Sequence, residues 1–395
     1  MNKTLLNTNI QEYINNHLDS DTTTLILKGT SFNDVDTKEI IEQIEAKKRC
    51  QNKLPTWYST KNIYYPNKLN IEQTSSEITA RYKSNLISGN TLIDLTGGFG
   101  VDCFYFSKFF KNVTHCELNK TLSNLVKYNY QQIGVKNIET INIDGLKFLN
   151  QNNKRFDWIY IDHSRRHDNK GKVFILKDCL PNIPENLKFI FEFSDNVLIK
   201  TSPLLDFSRG IEELDFVKSI HVIAINNEVK ELLWFLEKNY KENIHVNTVN
   251  IAKNKEVTFD FDLLEEKSVI PKYSLPKTYL YEPNSAILKS GAFNVLSTKK
   301  DVYKLHKHSH LYTNDTLVNF PGRHFKINSV IPFHGKALKL LKIKKANITV
   351  RNFPETVQQL RKKSGIKDGG EQYLFFTTDM ENNKIIIKAS KVLGQ

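Results

Sequence analysis

The chain is poor in cysteine and in long apolar runs, and each shortage excludes a class of protein. Four cysteines (Cys50, Cys103, Cys116 and Cys179) are scattered through 395 residues with no CxxC pairing. A disulfide framework needs an even, closely spaced set, so reduced thiols and a cytoplasmic setting are expected. No apolar run approaches the roughly 20 residues of a membrane span. The opening stretch MNKTLLNTNIQEYINNHL also lacks the apolar core of a signal peptide. Internal repeats and low-complexity tracts are missing. A hydrophobic content of 39% excludes a disordered chain and leaves enough for cores in two or three domains.

The formal net charge of +13 is unevenly divided. Pro271–Gln395 holds 22 basic and 8 acidic residues, or +14, and the remainder holds 34 and 35, or −1. A positive surface segregated at one end implies a polyanionic partner, most simply nucleic acid. The plainer alternative is a lysine-rich solubilising surface. Lys336, Lys339, Lys342, Lys344 and Lys345 cluster before a strand, and Arg361, Lys362 and Lys363 close a helix. Lys336 and the Arg361–Lys363 triplet are therefore candidate contacts to such a polyanion.

The hydrophobic pattern divides the chain into three regions. Residues 1–87 carry helical spacing, as in IIEQIEAKK and SSEITARYKSNLI, interrupted by LPTWYSTKNIYYPNKLN, which is expected to be an irregular loop. Residues 88–270 alternate strand and helix: TLIDL, VTHCEL, IETINID, WIYID, VLIKTSP and SIHVIAIN read as strands. That rhythm predicts an α/β fold with a doubly wound, Rossmann-like, mainly parallel sheet. Residues 271–395 lose the rhythm and read as a small α+β module, with the helix ETVQQLRKKSG ended by Gly365.

The segment DLTGGFGVD runs from a strand through three glycines into a helix, a cradle suited to a nucleotide-like ligand. Asp94, Glu117, Asp144 and Asp162 each end one of four successive strands, where open α/β sheets bind ligands. Singly, each is as well explained as a helix cap or turn former. Together with the glycine turn they favour a ligand crevice. A dinucleotide fits poorly, because Cys103 stands in the third glycine slot and Asp102 would set a negative charge beside the pyrophosphate. A cationic sulfonium with an amino-acid tail is not repelled in this way.

DLTGGFGVD, CELN, NIDG and YID resemble class I S-adenosylmethionine-dependent methyltransferases. More narrowly, the chain from about Leu54 onward resembles a bacterial group, frequent in Bacteroidetes, that joins such a domain to a C-terminal THUMP-like module. EQTSSEITARYK, SRR, DCLPNI, LIKTSPLLD, NNEVKELL, YEPNSAILKSGAF, FPGRHF, VRNFP and KDGGEQYLF carry that resemblance. It implies S-adenosylmethionine as cofactor, RNA as substrate and no metal. Cofactor contacts would come from Asp94, Thr96, Gly97, Gly98, Gly100, Glu117, Leu118, Asp144 and Gly145. Asp162 and His163 would be catalytic, with Arg165 and Arg166 binding substrate phosphate.

Where Asp-Pro-Ser-Arg-Arg is expected, this chain reads Asp162-His163-Ser164-Arg165-Arg166. Histidine there is either a tolerated surface-loop change or an added acid/base group. The N/D-P-P-aromatic motif of amino-group methyltransferases is also missing, so no exocyclic nitrogen is assigned as acceptor. The rival reading is a non-catalytic RNA-binding protein on a retained scaffold; small-molecule methylation would leave the basic module unexplained. His306, His308 and His310 alternate as if along a strand face, but no cysteine or carboxylate stands at ligand spacing, so a polar strand or loop is expected. Glu77 stands four residues before Arg81, the spacing of a helix ion pair.

Overall fold

The computed structural model describes residues 1–165, 175–253, 255–334, 337–341 and 343–392. It forms two compact units: Met1–Val217 with Trp234–Tyr240, and Lys218–Leu233 with Lys241–Gln395.

The first unit opens with helices α1 (Thr8–Asn16), α2 (Thr22–Lys28) and α3 (Thr37–Lys53). Their apolar stripes bury Ile10, Ile14, Leu25, Ile40 and Ile44 against one another. The stretch expected to be an irregular loop instead contains α4 (Pro55–Ser59) and α5 (Lys68–Gln73). Pro55 occupies the first turn of α4, where its missing N–H costs nothing. Asn67 caps α5 by accepting from the Asn70 N–H at 3.0 Å. The aromatics that made the stretch look irregular are core, with Trp57 and Tyr65 buried. Next comes α6 (Glu77–Ser84), capped by Ser76.

Strands β1 (Gly89–Asp94), β2 (Phe110–Cys116), β3 (Ile138–Ile141) and β4 (Trp158–Asp162) alternate with α7 (Val101–Phe106), α8 (Lys120–Ile133) and α9 (Gly145–Gln151). After β4 come a short antiparallel ribbon, β5 (Ser164–Arg165) with β6 (Cys179–Leu180), then α10 (Ile183–Ile190), β7 (Asn196–Thr201) and α11 (Phe207–Glu213). The strands lie in the order β7-β4-β1-β2-β3, all parallel. Continuous apolar runs such as VLI in β7 and IYI in β4 are what a sheet covered on both faces requires. The strand order reverses between β1 and β4, and at such a switch point the loops leave in opposite directions and open a crevice.

In the second unit lie β8 (Val217–Ile225) from Lys218 onward, β9 (Glu228–Glu237) as far as Leu233, β10 (His245–Ala252) and β11 (Lys255–Asp262), with β8 and β10 parallel and β10 and β11 antiparallel. Strands β12 (Tyr279–Pro283), β13 (Tyr303–Lys304), β14 (Tyr312–Asn314), β15 (Gly322–Pro332), β16 (Asn347–Val350), β17 (Gln372–Thr378) and β18 (Lys384–Lys391) form a second sheet in the order β13-β14-β12-β15-β18-β17-β16. The helix Val357–Ser364 carries a Thr356/Gln359 capping box and ends on Gly365 at φ 72°, as its sequence predicts. No described helix is long and apolar enough to cross a membrane.

Candidate active site

At the end of β1 the chain turns through Thr96, Gly97, Gly98 and Gly100. Asp94 shapes this turn from within. Its Oδ1 accepts from the Thr96 N–H at 2.8 Å and the Thr96 hydroxyl at 3.1 Å, and its Oδ2 accepts from the Cys103 thiol at 3.3 Å. Burial pushes the Asp94 carboxyl up to about 7. The glycines divide by what surrounds them. A Cβ on Gly97 would lie 2.3 Å from His115 Nε2, and one on Gly100 2.2 Å from the Tyr130 hydroxyl, so packing requires both. Gly98, at φ 55°, has only the Thr96 carbonyl within ordinary contact and leaves its outer side open.

Glu117, just beyond β2, faces that opening. One carboxylate oxygen accepts from the Gly98 N–H at 2.9 Å and the other from the Asn119 N–H at 2.6 Å. A carboxylate has about four lone-pair sites, so each oxygen retains capacity for one more donor. Leu118 is 72% exposed beside it. Asp144 caps α9 through the Lys147 N–H at 3.0 Å, which realises the helix-cap alternative for one of its oxygens. Gly145 is buried against Leu95.

The acceptor side is built at β4. The Asp162 N–H donates to the Thr96 hydroxyl at 2.7 Å, so one threonine ties the glycine turn to the end of β4 across the switch point. Both Asp162 oxygens accept from Lys200 Nζ of β7, each at 2.9 Å. Burial raises the Asp162 pKa, and the Lys200 charge opposes that rise. Lys200 escaped the sequence reading, although a lysine within the apolar strand VLIKT was itself a signal. His163 is buried, so its substitution for proline is not the surface-loop change considered from sequence. Arg165 lies in β5, and its side chain, like all of Arg166, falls outside what the structure describes.

Asp102 corrects one argument made from sequence. It does not present a bare charge to a ligand, because it is buried against Lys83 Nζ at 2.9 Å and accepts from the Ser75 and Tyr160 hydroxyls, each at 2.8 Å. Burial favours its neutral form, but Lys83 and these hydrogen bonds outweigh that and hold its pKa below the usual carboxylate range. Lys83, fully buried on α6, was also missed. Glu77 of the same helix accepts from the Thr56 N–H and hydroxyl at 2.6 and 2.7 Å and from the Tyr105 hydroxyl at 2.6 Å. Arg81 lies over the Tyr105 ring.

In the second unit, Arg361 turns inward. It donates to the Ile366 and Ala346 carbonyls at 3.0 and 3.2 Å and pairs with Asp368. That pattern gives it a structural role in closing the turn after the helix. Lys363 pairs with Glu355 at 2.8 Å and Lys362 is exposed. Lys336 lies outside the described residues. The three histidines occupy a turn rather than a strand: His306 bonds Asn382 and Asn352, and His310 stacks on Phe293. No cluster of metal-ligating residues occurs among the described residues, and the four cysteines are buried and form no disulfide.

Residues 279–321 match a ferredoxin-like domain family, and residues 322–391 match a THUMP domain-like family. The chain is similar to a candidate methyltransferase from Porphyromonas gingivalis W83, with 30% identity, 99% of each chain covered and a TM-score of 0.89. Lesser similarity extends to TrmK of M. capricolum in complex with S-adenosyl-homocysteine, with 18% identity, 41% of this chain and 68% of that one covered, and a TM-score of 0.33. It extends also to SMU.1697c of Streptococcus mutans in complex with SAH, with 15% identity, 41% and 96% covered, and a TM-score of 0.31. No curated protein matches the chain.

Proposed function

The chain belongs to the family of class I methyltransferase-fold proteins with a C-terminal THUMP-like domain, and from that premise we propose that it transfers a methyl group from S-adenosylmethionine to RNA. The observation that carries this reading is the Thr96 bridge. It ties the glycine turn, with Glu117 bonded to Gly98, to Asp162 at the end of β4, so a cofactor face and an acceptor face meet at one switch point.

The residues fit the cofactor. Glu117 has one open acceptor site on each oxygen for a ribose diol, and Gly98 leaves room for close approach. The bound sulfonium supplies an already activated methyl group. This chain's own residues then orient and position the acceptor, which is where most of the acceleration arises. Asp162, with its charge partly balanced by Lys200, orients the acceptor and takes up its proton. Residues 1–87 act as a helical cover, 88–270 as the catalytic domain and 271–395 as the basic RNA-binding module.

The bidentate grip of Lys200 on Asp162 is the observation that favours the rival reading, a non-catalytic RNA-binding scaffold. One experiment separates the two. RNA from a strain lacking the gene is incubated with the full chain and methyl-labelled S-adenosylmethionine, and modified nucleotides are mapped. Label in a defined nucleotide, lost in Asp162→Ala, supports the enzyme. Tight RNA binding without any transfer supports the scaffold.

A further inference from the structure

Three segments that the methyl-transfer site leaves unexplained, YEPNS, FPGRHF and VRNFP, meet in the second unit. Glu282 is the penultimate residue of β12, and its register partner on β15 is Arg323. Arg323 donates through Nε and Nη2 to Glu282 Oε2, and Arg351, just past β16, donates through Nη2 to Oε1 at 3.0 Å. The carboxylate is 4% exposed, while the arginine side chains are 40% and 34% exposed. One buried carboxylate is thus given two guanidiniums, and the cluster keeps a net positive charge at the surface. A purely structural ion pair needs only one.

The donors around it are not all used. Arg351 Nε is buried without a protein acceptor, and so are Asn284 Nδ2 and the Ser285 hydroxyl. Asn284 itself is buried, and its N–H donates to the Pro321 carbonyl at 3.1 Å, which sets it beside the strand end that carries Arg323. Leaving a buried donor unmet is costly, on the order of 1–3 kcal/mol each, so donors grouped this way point to an acceptor that the protein does not itself provide. The His306–His310 turn adds to the field. His306 accepts from Asn352 at 2.9 Å, and the His310 pKa is brought down to about 4, by burial first and then by the charges of Lys304, Arg351 and His308.

We propose that Arg323 and Arg351, splayed by Glu282 and joined by Asn284 and Ser285, form a binding site for a backbone phosphate of the RNA substrate. Glu282 fixes the two guanidinium planes so that their remaining edges grip an oxyanion as a fork, the geometry that arginine offers and lysine does not. The site rests on the RNA reading above and deepens it, because it names the surface of the THUMP-like and ferredoxin-like region that holds the strand.

The test uses the full chain and fluorescence anisotropy with a labelled, mixed-sequence single-stranded RNA, titrated across a salt series. Arg323→Gln and Arg351→Gln should each weaken binding roughly tenfold or more and make the log–log salt slope shallower by about 0.7. Arg351→Lys should keep the slope yet lose affinity, because charge is retained and the fork is not. Asn284→Asp keeps the helix-capping oxygen while replacing the unpartnered donor, and should also weaken binding. S-adenosylhomocysteine affinity should be unchanged in all four. If wild type binds RNA and the arginine variants bind equally well, this inference fails alone. If wild type binds no RNA, the RNA reading fails and takes this site with it. If circular dichroism melting shows that every variant unfolds, Arg351→Lys included, the cluster is a structural clasp and the inference is refuted. Displacement of RNA by inorganic phosphate at low concentration would identify a free-phosphate site instead and overturn the RNA assignment.

Discussion

Replacing Lys83 with methionine should destabilise the first unit by about 3–5 kcal/mol, the range for removing one partner of a buried ion pair. Lys83 is fully buried: its Nζ lies 2.9 Å from Asp102 Oδ1 and donates to the Ser75 hydroxyl at 2.7 Å. At an effective dielectric of about 20, two unit charges at that separation attract by about 6 kcal/mol, and desolvation of both groups takes back part of this. Methionine preserves most of the volume, so the loss is electrostatic. Asp102 would then rely on Ser75 and Tyr160 alone. All three tryptophans, Trp57, Trp158 and Trp234, lie in the first unit, so urea unfolding followed by tryptophan fluorescence reads this unit separately.

The pH dependence gives a second check on the same variant. The folded-state pKa of Asp102 is depressed, so its ion pair contributes stability above the unfolded carboxylate value and loses it as pH falls through the folded one. The gap between wild type and Lys83→Met should therefore narrow towards acid pH, where the uncompensated carboxyl takes up a proton. Replacing both partners with apolar residues of similar size should cost less than either single change. A loss below about 1 kcal/mol at neutral pH would refute the reasoning, since Asp102 would then be neutral or hydrated without Lys83.

Asp94 has the opposite sign. Its folded pKa is raised to about 7, so the native state keeps a proton that the unfolded chain releases, and stability drops as pH rises from about 4 to about 7. Asp94→Asn should gain on wild type across that window in urea midpoints, and parallel curves would exclude a buried neutral carboxyl. Glu117→Ala should weaken S-adenosylmethionine binding by about 1.5–3 kcal/mol in calorimetry, with Glu117→Gln showing how much comes from charge. Unchanged affinity removes Glu117 from the site, and tighter binding of NAD sinks the cofactor assignment. Asp162→Ala and Lys200→Met should each reduce methyl transfer sharply while leaving cofactor affinity nearly intact. His163→Pro should preserve activity; loss of turnover together with a pH dependence near neutrality would instead make His163 a general base.

Local pattern alone determined the parallel strands β1–β4 and β7, the glycine turn and the acidic residues at the strand ends. Apolar runs of a doubly covered sheet, and glycines at a strand-to-helix turn, are constraints between near neighbours in the chain. The helices α4 and α5 were misread for the converse reason: aromatic density around two prolines looks like a loop until Trp57 and Tyr65 find a core to fill. The division of labour within the site was decided only by tertiary structure. Asp94 and Asp102 are both acidic residues near one turn, yet Asp94 braces the turn from inside and Asp102 is neutralised by a lysine from α6. Lys200 meets Asp162 across 38 residues, and Arg323 and Arg351 meet Glu282 across 41 and 69. A charged residue's pKa and task depend on what burial and distant partners bring within about 3 Å, and sequence spacing carries no record of those distances.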